Sequence, residues 1–316
     1  MKNFSGIGLF VFSDPGAAKA VLAQITLIKE KLTKLIVISD RDYNFYKDFE
    51  IDVIVTSEKA EEIIEKEKPD FIFTGTSYTS KIELEYIKFA NSKGLYTVAF
   101  VDHWTSIMQR FEYLNSYIFP NEVLVIDEKA KEFAINSGMA SSIIKIFGNP
   151  YYRYLKNWKP KKTKAELYAQ LGIKNNNKLI VFAPEPLSNV DGKSNFGFDE
   201  IETTEKINTI INNLGFDFNF VLKLHPNQKK EKLLNVAGNR MIIADSSIDS
   251  NLLIFYSDLI LGFFSNFLIE ATYLQKKILR LDFFLMKDDP FLDIEIGTKV
   301  GEQEFINELN ALHESK

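Results

Sequence analysis

The chain has 316 residues, 46% of them hydrophobic and 26% charged, the usage of a soluble globular protein long enough for two domains. With 38 Lys and Arg against 43 Asp and Glu the net charge is −5, which argues against a general nucleic-acid binder. Cysteine is absent, so disulfides, thiolate metal sites and a cysteine nucleophile are excluded.

No secretory pattern opens the sequence and no apolar run approaches the roughly 20 residues that span a bilayer, so the expected location is cytoplasmic. The first apolar run, IGLFVFS (7–13), ends in Asp14-Pro15-Gly16 and turns helical. Asp14 is either the cap of that helix, with Pro15 at its first position, or a carboxylate at the mouth of an active site. Gly16 leaves room for a ligand to approach the backbone.

LIVIS (35–39), DVIVT (52–56) and FIFTGT (71–76) are the next predicted strands, separated by amphipathic helical patterns. The third runs into a hydroxyl-rich turn with Thr76, Ser77, Thr79 and Ser80, and Glu83 follows in the next helix. That turn either binds an acceptor through Thr76 and Ser77 or only caps the helix. YTVAFVD (96–102) ends in Asp102-His103-Trp104 and leads to Arg110. Two readings fit these residues. In one, Trp104 packs under a helix that Asp102 caps. In the other, Trp104 stacks on a ligand ring, Asp102 or His103 moves a proton, and Arg110 meets an anionic group.

EVLVID (122–127) and IIKIFG (143–148) complete the first half, and composition turns linker-like near residue 150. The segment 153–164 carries six basic residues, no acidic one, and Trp158. It reads as a solvated linker helix, or as a patch touching anionic headgroups at the inner membrane face. The expected boundaries are an N-terminal domain over 1–150, a linker over 151–177 and a C-terminal domain over 178–316.

The second half repeats the alternation with KLIVFAPE (178–185), FNFVLKLHP (218–226), MIIAD (241–245), DLILGFF (258–264) and KILRLD (277–282). Near-continuous apolar strands alternating with helices predict parallel sheets covered on both faces, an α/β fold of two doubly wound domains. Ligands of such folds bind at the carboxyl ends of the strands. Glu185, between two prolines, either shapes a pocket floor or sits in a rigid turn.

Motifs for a P-loop, a GxGxxG dinucleotide site, a GxSxG elbow and an HExxH zinc site are all absent. Of the three histidines, His103 and His225 follow predicted strands and His313 lies in the polar tail. His225 and Pro226 close one strand. Gly262 ends another, Ser265 and Asn266 open a helix, and Glu270 lies one turn inside it. A helix start with a hydroxyl is suited to phosphate.

These elements resemble the GT-B-type glycosyltransferase superfamily, whose two facing Rossmann-like domains bind a nucleotide-sugar in an interdomain cleft. The His-Pro element, the Ser-bearing helix start and Glu-Ala are similar to those of bacterial capsule transferases, CDP-glycerol glycerophosphotransferases and UDP-N-acetylglucosamine 2-epimerases. IFGNPYYRYL resembles their interdomain crossover. The resemblance implies that His225, Ser265 and Asn266 contact donor phosphates and Glu270 the ribose. It implies an inverting, metal-independent transfer from a CMP-, UDP- or CDP-linked sugar, without a further cofactor. Asp14, or the Asp102/His103 pair, would be the base. The acceptor would be a glycan or lipid-linked group of a capsule, lipopolysaccharide or other surface glycan. One departure stands out: relatives often place two adjacent hydroxyl residues at the helix start, whereas Phe264 and Asn266 flank Ser265 here.

Overall fold

The computed structural model describes residues 4–315 except 105, 226, 227, 229, 246 and 293. Two units, Met1–Asn157 and Trp158–Lys316, each carry their own sheet.

The strands of the first unit are β1 (Gly6–Phe12), β2 (Leu32–Ser39), β3 (Ile54–Val55), β4 (Phe71–Thr74), β5 (Tyr96–Val101), β6 (Glu112–Tyr113), β7 (Ser116–Tyr117), β8 (Glu122–Val125) and β9 (Ile144–Ile146). β6 and β7 form a small antiparallel hairpin. The other seven make a parallel sheet in the order β3-β2-β1-β4-β5-β8-β9. The chain winds outward from β1 to β3, then crosses back to β4 on the other side of β1. The strand order therefore reverses between β1 and β4, the place where such sheets leave a crevice at their carboxyl ends.

β1, β4, β5 and β8 are apolar on both faces because helices cover both sides. On one side Leu9, Val11, Ile38 and Ile72 pack with Ile63 and Tyr86. The helix Pro15–Ile28 starts with Pro15 at its first turn and buries Ala17, Ala18, Ala20 and Ala23, so its backbone lies close to its neighbours. Gly75 extends that closeness, since a Cβ there would stand 2.6 Å from the Ala17 Cβ.

The second unit has β10 (Leu179–Phe182), β11 (Asn219–Lys223), β12 (Met241–Ala244), β13 (Leu259–Gly262), β14 (Ile278–Leu281) and β15 (Thr298–Val300). They form a six-stranded parallel sheet in the order β12-β11-β10-β13-β14-β15, which reverses between β10 and β13. Phe182, Phe220, Phe263, Ile207 and Phe305 are central to its core.

The segment expected as a linker is helical on both sides of the unit boundary, over Pro150–Leu155 and Lys164–Leu171. Thr163 and Glu166 form a reciprocal capping box, and Gly172 ends the second helix at φ 72°. Arg153 lies over the Phe147 ring and Trp158 packs edge-on against Phe255, so part of the basic segment is used in packing. Among the described residues, no helix is long and apolar enough to cross a membrane.

Phe220 is 1% exposed in the middle of the second core. Phe220→Ala should cost about 3–5 kcal/mol, measured as a lower urea midpoint for the second unit.

Candidate functional site

The sharpest sequence question concerned Asp14. It occupies the N-cap position of the helix Pro15–Ile28, but its side chain makes no capping bond. The carboxylate turns instead to the loop after β4. Oδ2 accepts the Tyr78 N–H at 2.9 Å, and Oδ1 accepts the Thr79 hydroxyl at 2.8 Å and Arg41 at 3.1 Å. The Asp14 N–H donates to Ser77 Oγ at 3.0 Å. Asp14 is therefore a tether between the loops that follow β1 and β4.

Glu83 anchors the same junction from below. It accepts the Ser13 N–H at 3.0 Å and the Ser77 hydroxyl. Burial pushes its carboxyl up to about 7, against the Ser77 hydrogen bond that draws it down. The importance of Glu83 and Arg41 escaped the sequence reading. The available signals were a charged residue directly after β2 and a carboxylate in the first turn of the helix after β4.

The acceptor contacts expected in this unit need correction. Gly16 offers no room to a sugar, because Asp102 Oδ2 fills that space and would lie 2.2 Å from a Cβ. Thr76 and Ser77 are each 2% exposed, and their hydroxyls are spent on the Phe100 carbonyl and on Glu83. Arg110 donates to the Thr76 carbonyl at 2.9 Å and to Asp102 at 3.2 Å, so it braces the ends of β4 and β5. Trp104 donates its indole N–H to Asp127 at 2.8 Å and packs on the core around Phe111, as a wedge beneath the loop. Asp102 pairs with Arg110.

Two proton-transfer candidates remain together at the end of β5. Burial raises Asp102, although Arg110 and His103 beside it pull the other way. Burial lowers His103 against the opposing influence of Asp102, which favours a neutral imidazole able to accept a proton.

In the second unit the candidates gather where the strand order reverses. Ser265 is the N-cap of the helix Asn266–Tyr273, yet its hydroxyl makes no capping bond. Glu185, after β10, accepts the Phe264 N–H at 2.9 Å and so joins the ends of β10 and β13. Its Oε2 and Ser265 Oγ are both shut away from solvent without a hydrogen-bond partner among the described residues. Burial raises Glu185 to about 7, opposed by backbone N–H groups that include that of Phe264.

Gly262 serves packing: a Cβ there would press on Leu268 at 3.0 Å and on the Ala183 carbonyl at 3.2 Å. Asn266 is exposed at the helix start, and Glu270 is buried to 7% on the helix's second turn. His225 is half-buried after β11, with its ring lowered by burial. Pro226 lies outside the described residues. Among the described residues no cluster of three His, Asp or Glu side chains is arranged to hold a metal ion.

Several solved structures share this architecture. One is UDP-GlcNAc 2-epimerase from Methanocaldococcus jannaschii, at 14% identity and TM-score 0.67, over 98% of this chain and 93% of that one. A second is UDP-GlcNAc 2-epimerase from Neisseria meningitidis bound to UDP-GlcNAc, at 15% identity and TM-score 0.67, over 96% and 90%. A third is Anabaena HepE in complex with UDP-glucose, at 16% identity and TM-score 0.62, over 97% and 90%. The chain has the GT-B fold. The GT-B-type resemblance also appears in sequence, where the family model for CDP-Glycerol:Poly(glycerophosphate) glycerophosphotransferase matches residues 126–281. No curated protein matches the sequence.

Gly16→Ala should displace Asp102 and cost about 1–3 kcal/mol, seen as a lower thermal midpoint. Gly215→Ala, with nothing within 4 Å of the added Cβ, should leave the midpoint nearly unchanged. Glu83 gives a pH signature. Its folded value of about 7 lies above the ordinary carboxylate value of 4.5, so folding takes up a proton. Stability should therefore fall as pH rises through that window, by at most about 1.4 kcal/mol per pH unit. Urea titrations of wild type and Glu83→Gln should show a shallower dependence in the variant.

Proposed function

We propose that this GT-B protein is a transferase that moves a sugar from a nucleotide-linked donor to an acceptor hydroxyl in surface glycan synthesis. The observation that carries this reading is the start of the helix Asn266–Tyr273. Its N-cap hydroxyl is not spent on capping, the strand order reverses between β10 and the β13 that leads into it, and a half-buried histidine follows β11 on the far side of β10. The first N–H groups of a helix have no intrahelical partner, so they and Ser265 suit a donor phosphate. His225 would donate to a second phosphate oxygen, and Glu270 would meet the ribose.

In the transfer, the acceptor oxygen attacks the anomeric carbon in line with the departing phosphate. The bond from that carbon to the phosphate oxygen breaks, and its electron pair leaves with the nucleotide. The acceptor proton passes to a base, the role proposed for the Asp102/His103 pair, while Asp14 holds its own loops in place. Inversion follows from a single displacement. The positive helix end and His225 would stabilise the charge that develops on the leaving phosphate.

A second reading is favoured by the solved structures of the same fold that are UDP-GlcNAc 2-epimerases. In that case the proton moved would be the one on C2 of the sugar. Leaving groups and isotope separate the possibilities. Glycosyl transfer from UDP-GlcNAc or UDP-glucose releases UDP, and glycerophosphate transfer from CDP-glycerol releases CMP. Epimerisation in heavy water puts deuterium at C2 and releases nothing.

Binding is expected for one of these three compounds, and His225→Ala should weaken it about tenfold or more. Asp102→Asn should keep binding and lower turnover by about 10²–10⁴-fold. Unchanged turnover in Asp102→Asn would remove that pair from the mechanism.

A further inference from the structure

Glu185 combines features that the donor-binding reading does not use. One carboxyl oxygen is fixed by the Phe264 N–H, while Oε2 and the Ser265 Oγ are both buried; the Ser265 hydroxyl is near enough to draw the carboxyl down, yet neither atom reaches full hydrogen-bond geometry with any partner among the described residues. Two orphaned polar atoms side by side are costly unless a proton or a ligand completes them. Their setting is the start of the helix after β13, at the β10/β13 reversal, and Ser265 is itself expected to meet phosphate.

The charged groups on the surrounding elements do not neutralise Glu185. Arg280 on β14 donates to the Phe263 carbonyl at 2.9 Å and pairs with Asp289. Lys223 on β11 donates to the Asp245 carbonyl at 2.6 Å. Beyond the turn after Glu185, Glu200 accepts from Ser188, Lys232 donates to Ser188 and Asn189, and Lys193 pairs with Glu202. Glu270 adds a further carboxyl on the helix, and His225 a titratable ring after β11. What acts on the Glu185 carboxyl is burial and hydrogen bonding. An anion arriving at Ser265 would therefore face a carboxylate with no cation to offset it.

We propose that Glu185 is protonated whenever a phosphate occupies the helix start at Ser265, so that donor binding takes up one proton. The inference rests on the donor site proposed above. Neutral Glu185 donates through Oε2–H to Ser265 Oγ, and the Ser265 hydroxyl is then free to donate to the phosphate. Ionised Glu185 reverses that order, turning the Ser265 O–H toward the carboxylate and away from the ligand. Burial already brings the carboxyl to about 7, so the free protein sits near the midpoint of this exchange at neutral pH.

The test is calorimetric titration of the full chain with UDP-GlcNAc, UDP-glucose and CDP-glycerol, whose phosphate diesters do not titrate near neutrality. Each titration is repeated in buffers of different ionisation heat. For the compound that binds, Kd should be flat below about pH 6 and rise up to tenfold per unit above about 7, with close to one proton taken up there. Glu185→Gln, a donor at every pH, should bind tightly throughout with no slope and no uptake. A wild-type Kd that does not change with pH overturns the proposal and leaves the donor site standing. So does a slope that persists in Glu185→Gln and vanishes in His225→Asn, which assigns the proton to His225. If none of the three binds wild type or Glu185→Gln at any pH, the donor site itself fails and this inference with it.

Discussion

In each unit a glutamate turned in toward the protein ties together the two strand ends between which the sheet reverses its order. Glu83 reaches from the helix after β4 to the Ser13 N–H beyond β1, and Glu185 reaches from the end of β10 to the Phe264 N–H beyond β13. Parallel strands that diverge at a switch point leave backbone N–H groups facing a crevice with no ladder partner. A carboxyl satisfies such a group and fastens two loops at once. The cost is a titrating group in a place that water barely reaches, and both glutamates are raised to about 7 for that reason.

The surroundings of the two glutamates differ, and the difference separates support from chemistry. Around Glu83 most polar atoms find partners, the Ser13 hydroxyl excepted: Ser77 serves both Glu83 and Asp14, and Asp14 serves Tyr78, Thr79 and Arg41. Such a network rigidifies a loop pair. Around Glu185, Oε2 and the Ser265 hydroxyl are left over. Unmatched polar groups at a helix start are where a ligand gains most by binding. In the first unit burial shifts Asp102 and His103 toward their neutral forms.

Much of the fold was legible because burial on both faces writes itself into sequence as uninterrupted apolar runs. Twelve such runs correspond to strands, from IGLFVFS at β1 to KILRLD at β14. β15, TKV, escaped notice because an edge strand of three residues with one buried side chain leaves no run. The β6/β7 hairpin is shorter still. The sites were less legible. Ser265 is readable as a helix start from its neighbours, but the partners of Glu83 and Arg41 lie 70 and 27 residues away, at Ser13 and Asp14. Gly16 reads in sequence as room for a sugar, and the space is taken by the Asp102 side chain of the protein itself. Local sequence tells that a space is needed and is silent on its occupant.

The continuity of each unit along the chain has a consequence for biogenesis. All strands of the first sheet precede Asn157, and no later segment is needed to complete it. Parallel sheets fold slowly, since every neighbouring pair must wait for a crossover to close. At translation speeds of about 5–20 residues per second, the first unit has on the order of ten seconds to itself while the second is still being made. Its exposed strand edges can find their own partners before the six strands of the other sheet emerge to compete for them. A chain that finishes one sheet before beginning the next avoids the mispairing to which two similar parallel sheets would otherwise be prone.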